Sequence, residues 1–110
     1  MILKQGDIVK LDFDPTKGHE QTGYRPALVV SRTFFNAKTG QAVVCPITNR
    51  CRPFPMRLPL DERTLTRGFI MCDQVRTIDT EARGPKFIEA LPGDLLEKVL
   101  LMVSAIFEKE

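Results

Sequence analysis

The sequence predicts a mainly β protein: a compact, twisted barrel of short strands with one C-terminal helix. Two observations carry that expectation. Up to Leu91 the apolar residues come in short runs broken by turn signals, at the roughly 8–12-residue spacing of small sandwiches and barrels. Beyond it Leu95, Leu96, Val99, Leu100, Val103, Ile106 and Phe107 recur at three and four, the period of a helix. A length of 110 residues sets one domain, 1–110, with a small core.

Each element has its own signal. Residues 8–13 alternate Val9, Leu11 and Phe13 with Lys10 and Asp12, as a half-buried strand does, and Asp14-Pro15 stops it. Residues 16–24, with Gly18 and Gly23, form a loop that is long for a hairpin. In residues 25–31, Ala27-Leu28-Val29-Val30 is continuously apolar, the mark of a strand buried on both faces, and Pro26 suits its start. Residues 33–38 hold a helical turn ahead of Thr39-Gly40, and 41–48 are β-rich again. Residues 49–55 make a basic loop, and Pro55 and Pro59 confine Met56-Arg57-Leu58 to a short edge strand.

Residues 61–67 are a polar connection. Residues 68–72 and 74–78 read as strand with a kink or bulge near Asp73. A turn over 80–85, with Gly84-Pro85, leads to a last strand over 86–91. Asp94 is placed to cap the helix, with Glu97 three residues on as its capping-box partner. Leu101, Met102 and Ala105 widen the helix's apolar face beyond what one small sheet covers, which implies a self-association surface.

Composition narrows the class. The chain is 43% hydrophobic and 27% charged, ordinary for a soluble globular protein. No apolar run reaches the roughly 18–20 residues that span a bilayer. Lys4, Gln5, Gly6 and Asp7 interrupt any signal peptide, so a cytoplasmic location without membrane contact is expected. Cys45, Cys51 and Cys72 are odd in number, no Cys-x-x-Cys occurs and His19 is the one histidine, so structural or idle thiols are expected, with no metal and no cofactor. Through Ala90 there are fourteen basic and ten acidic residues; from Asp94 on there are two and four. The cations gather as Lys17 with Arg25, then Arg50, Arg52 and Arg57, then Arg76, Arg83 and Lys86. Charge alone leaves two readings open, a basic groove for a nucleic-acid backbone or a mixed, solvated surface.

The segment from Asp12-Phe13-Asp14-Pro15-Thr16-Lys17-Gly18-His19-Glu20-Gln21-Thr22-Gly23-Tyr24-Arg25-Pro26 into Ala27-Leu28-Val29-Val30-Ser31 closely resembles the N-terminal signature of the MazF/PemK toxins. That pattern is Asp-Pro-Thr-x-Gly-x-Glu-Gln-x-Gly-x-Arg-Pro followed by an apolar strand. The likeness continues through Phe35-Asn36, Lys38-Thr39-Gly40, Pro46-Ile47-Thr48, Cys72-Asp73-Gln74-Val75-Arg76-Thr77-Ile78 and Ala82-Arg83-Gly84. It implies an SH3-like small barrel, the plasmid-maintenance-toxin fold. It also implies a homodimer that cuts single-stranded RNA at short motifs without metal, leaving 2′,3′-cyclic phosphate and 5′-hydroxyl ends. An antitoxin's acidic C-terminal tail would inhibit it.

Such cleavage uses the substrate's own 2′-hydroxyl, so the protein must take a proton, stabilise the phosphorane and help the 5′-oxygen leave. Arg25, where the long loop enters the buried strand, has a planar, permanently charged fork suited to phosphate. The resemblance makes Thr48 its catalytic partner and places Glu20 beside it, with Glu20 or His19 open as the base. Some relatives use an Arg-Cys-Asp stretch instead; here Met71 stands where they have arginine, which favours Arg25 with Thr48. Single-stranded RNA is held by stacking and by cations. Candidate contacts are His19, Gln21, Tyr24, Arg50, Arg52, Phe54, Asp73, Gln74 and Arg76, with Arg57 as a further backbone grip or base reader and Phe35 as a further stacking candidate; Phe34, Phe35 and Phe69 are otherwise expected mainly in the core. The rival reading is a non-catalytic binding module of the same fold, as in gyrase-poisoning toxins, which needs no hydroxyl paired with a pocket arginine.

Overall fold

Strand alternation sorts the apolar residues onto the two faces of one sheet, and both faces are buried. The computed structural model describes residues 2–13, 23–50 and 54–110. In chain order the elements are β1 (Asp7–Asp12), β2 (Tyr24–Val29), α1 (Thr33–Thr39), β3 (Gln41–Thr48), β4 (Arg57–Pro59), β5 (Phe69–Met71), β6 (Arg76–Asp79), α2 (Thr80–Arg83), β7 (Lys86–Ala90) and α3 (Gly93–Ile106). The strands are antiparallel in the order β4-β5-β3-β2-β1-β7. One edge of β3 takes β2; the other is shared, with β6 along Gln41 to Val44 and β5 at Ile47 and Thr48. The sheet is open at β4 and β7 and curls into a small barrel-like fold, with the C-terminal helix the sequence predicts.

In β2 the alternation is explicit. Leu28 and Val30 join Ile8, Cys45, Ile47, Ile70 and Cys72 in one buried cluster, which Leu95 and Val99 of α3 cover. Ala27 and Val29 join Leu3, Val9, Leu11, Phe13, Val44 and Ile78 in the other. Burial on both faces is what the unbroken Ala27–Val30 run demands. Among the described residues no helix is long and apolar enough to cross a membrane.

The structure corrects several local expectations. The kink at Asp73 is a full break, separating β5 and β6 onto different stretches of β3. Residues 80–85 are more than a turn: α2 forms because the Asp79 carboxylate accepts from the amides of Glu81 and Ala82, at 2.9 and 3.2 Å. Asp94 does not cap α3. Pro92 holds that position, its carbonyl accepting from Leu95 and Leu96, and the Asp94 carboxylate instead takes the Arg63 guanidinium at 2.9 and 3.0 Å. Phe34 and Phe35 are exposed, Phe34 to 65%, because the inward residue of α1 is Asn36, whose amide donates to the Leu3 carbonyl at 2.8 Å. Phe69 is half-buried.

The 61–67 connection is tied down at both ends. Arg63 bridges Asp61 and Asp94. Glu89 on β7 accepts from the Leu65 and Thr66 amides and the Thr66 hydroxyl, at 3.0, 2.8 and 2.8 Å. Burial pushes the Glu89 carboxyl up, but these three donors outweigh it and hold it below its ordinary value. A depressed carboxyl contributes stability that is present at neutral pH and lost as pH falls through its folded value. Glu89→Ala is therefore expected to cost about 1 kcal/mol at neutral pH. Thermal melts of both proteins from neutral pH into the acid range check the assignment: the two should converge as pH falls, and a constant gap would reject it.

Candidate functional site

Ala27 pairs with Pro46, Leu28 with Cys45 and Val29 with Val44. Arg25 of β2 and Thr48, the last residue of β3, each lie two positions beyond the Ala27–Pro46 pair, at the same end of the two strands. Alternation puts both on the face of Ala27, Val29 and Val44, at the end of that apolar cluster. Arg25 is half-buried and Thr48 is buried. The Thr48 hydroxyl accepts from the Arg50 amide at 3.1 Å, an arrangement that aims its own proton elsewhere and turns the chain out of the strand. A guanidinium and a hydroxyl donor side by side suit an oxyanion of phosphate.

One further residue of this site was not singled out from the sequence. Gly68 has φ +114, and a Cβ there would lie 2.1 Å from the Thr48 carbonyl oxygen and 2.8 Å from its carbon. Its backbone thus rests directly on Thr48. The available signal was an isolated glycine at the start of a strand, which marks a close backbone approach.

Other predicted residues arrange themselves around this end of the sheet. Arg76 pairs across from Val44, its guanidinium 5.3 Å from the Phe13 ring centroid and 3.5 Å from the Phe13 carbonyl. Tyr24 is exposed, with Lys10 over its ring and its hydroxyl 3.5 Å from the Gly84 carbonyl. Arg50 is exposed just beyond Thr48. Gln74 follows the β5–β6 break, and its buried side-chain oxygen has no hydrogen-bond partner among the described residues. Phe54 is exposed beneath Arg57, and Arg57 is ion-paired with Asp73. Arg83 donates to the Asp12 carbonyl at 3.4 Å. His19, Glu20, Gln21 and Arg52 lie outside the described residues, as does Cys51.

Cys45 and Cys72 are buried in the α3-facing cluster. Burial, then the neighbouring Cys72 and Asp73, pushes the Cys45 thiol up to about 12; burial, then Asp73, pushes Cys72 up to about 11. Thiols so raised are not nucleophiles at neutral pH. Among the described residues no three His, Cys, Asp or Glu side chains gather as a metal site.

Comparison with known proteins gives the family and the fold. A family model described as PemK-like, MazF-like toxin of type II toxin-antitoxin system matches residues 4–107. The endoribonuclease PemK of Escherichia coli is 41% identical over 108 residues, covering 94% of this chain and 81% of that one. The crystal structure of MazF from Deinococcus radiodurans superposes with a TM-score of 0.91 at 32% identity, covering 97% of each chain. A MazE-MazF structure from the same organism gives 0.86 at 32% identity, covering 97% of this chain and 96% of that one.

Gly68→Ala is expected to force the end of β3 off the strand, because the clash falls on backbone atoms and the left-handed φ adds strain. Overpacking and φ strain together put the loss at about 2–4 kcal/mol. Denaturant unfolding measures it, and a variant as stable as the parent would refute the close approach.

Proposed function

The chain belongs to the PemK-like, MazF-like toxins of type II toxin–antitoxin systems, and from that membership we propose that it is an endoribonuclease cutting single-stranded RNA at short motifs without a metal ion. The observation that supports the proposal is the β2–β3 register, which brings Arg25 and Thr48 to the same end of two paired strands.

In the proposed reaction the 2′-oxygen attacks phosphorus. The 2′-oxygen–phosphorus bond forms, the phosphorus–5′-oxygen bond breaks, and the products are a 2′,3′-cyclic phosphate and a 5′-hydroxyl. Arg25 and the Thr48 hydroxyl face the non-bridging oxygens, where negative charge grows in the phosphorane, so they act on the transition state more than on bound substrate. Glu20 takes the 2′-proton, and a protonated group returns one to the 5′-oxygen; this role rests on the sequence match. Arg50, Arg52 and Arg76 grip the backbone, and His19, Gln21, Tyr24, Phe54, Asp73 and Gln74 line the path of the bases. The unpartnered Gln74 oxygen suits a donor on a base edge.

The same reading gives one toxin domain over 1–110, working in the cytoplasm as a homodimer. The apolar end of α3 supports the dimer: Leu101 is 68% exposed and Phe107 72%. An antitoxin is the proposed inhibitor, a partner supported by the MazE-MazF relative, and its acidic C-terminal tail is proposed to meet the cations of the site.

With EDTA and a long mixed-sequence RNA, the wild type should give discrete cuts with 5′-hydroxyl ends. Arg25→Ala should slow them about 10²–10³-fold, the usual loss for one transition-state donor, and Thr48→Val should act in the same direction. Intact RNA, or cuts indifferent to both substitutions, would sink the assignment. For the dimer, sedimentation at low micromolar concentration should show two chains in the wild type and one in Leu101→Lys/Phe107→Lys; a monomeric wild type would reject it.

A further inference from the structure

We propose that Phe54 is a stacking platform for one nucleobase of the RNA, with Arg57 and Asp73 as the positioning residues that hold its ring. The inference rests on the ribonuclease reading and goes beyond it by giving Arg57 and Asp73 tasks other than phosphate binding and proton transfer.

The Arg57 guanidinium lies 4.7 Å from the Phe54 ring centroid. Its Nε and Nη2 donate to the two Asp73 oxygens at 2.9 and 3.3 Å, and both side chains are mostly covered, at 17% and 26% exposure. One face of the ring is therefore backed by a cation that is itself fixed. Phe54 nevertheless remains 53% exposed, an aromatic surface held in place and facing solvent.

The backbone is built for the same arrangement. The Arg57 amide donates to the Phe54 carbonyl at 3.3 Å, closing a turn with Pro55 and Met56 in its middle. Pro55 fixes the second residue, and Met56 has φ +74, where glycine is usual. A non-glycine residue in that region is strained by about 1–2 kcal/mol. It is held there because the Met56 carbonyl accepts from Cys72 at 2.9 Å and its side chain packs on the α3-facing cluster. The turn brings Phe54 and Arg57 together, and the Cys72 contact brings Asp73 to them.

Every base has a π-face, and single-stranded RNA is commonly held by stacking on aromatic rings. Arg57 pairs with Met71 on the ladder in which Phe69 pairs with Thr48, so a base stacked on Phe54 belongs to the strand proposed to cross Arg25 and Thr48. With both Asp73 oxygens on its guanidinium, Arg57 has its charge compensated and does not serve a phosphate. Ordering the ring during folding removes that cost from binding.

The test measures affinity of the full chain for a short 2′-O-methyl RNA of randomised sequence, which cannot be cut, across a salt series. Phe54→Leu should weaken binding about fivefold to 100-fold, the range of base–aromatic stacking, and Phe54→Trp should restore it. Asp73→Asn should also weaken binding, although it adds a positive charge. Arg57→Met should weaken binding without changing the salt slope, whereas loss of a phosphate contact would lower that slope by about 0.7. In the Phe54→Leu background Arg57→Met should have no further effect. Tighter binding by Asp73→Asn, or a reduced slope in Arg57→Met, would overturn the positioning role. Full RNA affinity in Phe54→Leu would overturn the platform and leave the ring as a contact for a protein partner. A wild type that cuts RNA while the variants bind normally defeats this inference alone; one that neither binds nor cuts defeats the ribonuclease reading as well.

Discussion

The β2–β3 register is the constraint on which the site depends, and it is fixed by residues that take no part in the chemistry. Ala27 and Val29 fill one cluster while Leu28 fills the other, opposite Cys45. Because side chains alternate with a period of two, a slip of one residue would send each of them to the wrong face. On a sheet buried on one side such a slip exposes apolar groups; on this one it also collides with a packed layer. The placement of Arg25 and Thr48 at one end of the paired strands is thus held by burial further along the same strands. An arginine at the edge of such a rigid layer keeps its guanidinium in place without a large ordering cost when phosphate arrives.

The rest of the structure serves that edge in sequence. Thr48 is seated against Gly68, whose backbone follows the 61–67 connection. That connection is held to β7 through Glu89 and to the start of α3 through Arg63 and Asp94. α3 in turn covers the cluster that contains Cys45 and Ile47 of β3. The site is therefore closed by a circuit of contacts: strand, glycine, loop, helix and the same strand again. Surface ion pairs such as Arg63 with Asp94 contribute little alone, and the carboxylate of Glu89 with its three donors is the firmer tie.

What was legible in the sequence was what depends on period. Val9, Leu11 and Phe13, the Ala27–Val30 run and the spacing from Leu95 to Phe107 each encode a face, and each forms the expected element. Arg25 and Thr48 are proposed through motif, and the register brings them to one end of β2 and β3. What was hidden depends on contacts distant along the chain. Gly68 looks like any glycine until the Thr48 carbonyl, twenty positions back, is placed against it. Asp94 and Glu97 have the spacing of a capping box, but Pro92 begins the helix and Arg63 takes the Asp94 carboxylate. Phe34 and Phe35 are apolar enough for a core, yet a two-turn helix buries a single stripe, and Asn36 occupies it.

The position before Cys72 shows how one substitution redistributes roles. Some relatives carry an Arg-Cys-Asp stretch here; this chain has Met71, whose side chain is buried. Two residues on, Asp73 binds Arg57 through both of its oxygens. Each Asp73 oxygen thus accepts one guanidinium hydrogen bond, and Arg57 has two of its donors on that carboxylate. In the proposed reaction Arg25 is the principal cation, and its backbone position comes from β2 and not from a loop. The Arg57–Asp73 pair backs the Phe54 ring where the chain turns into β4, so this acid is tied first to the frame of the fold.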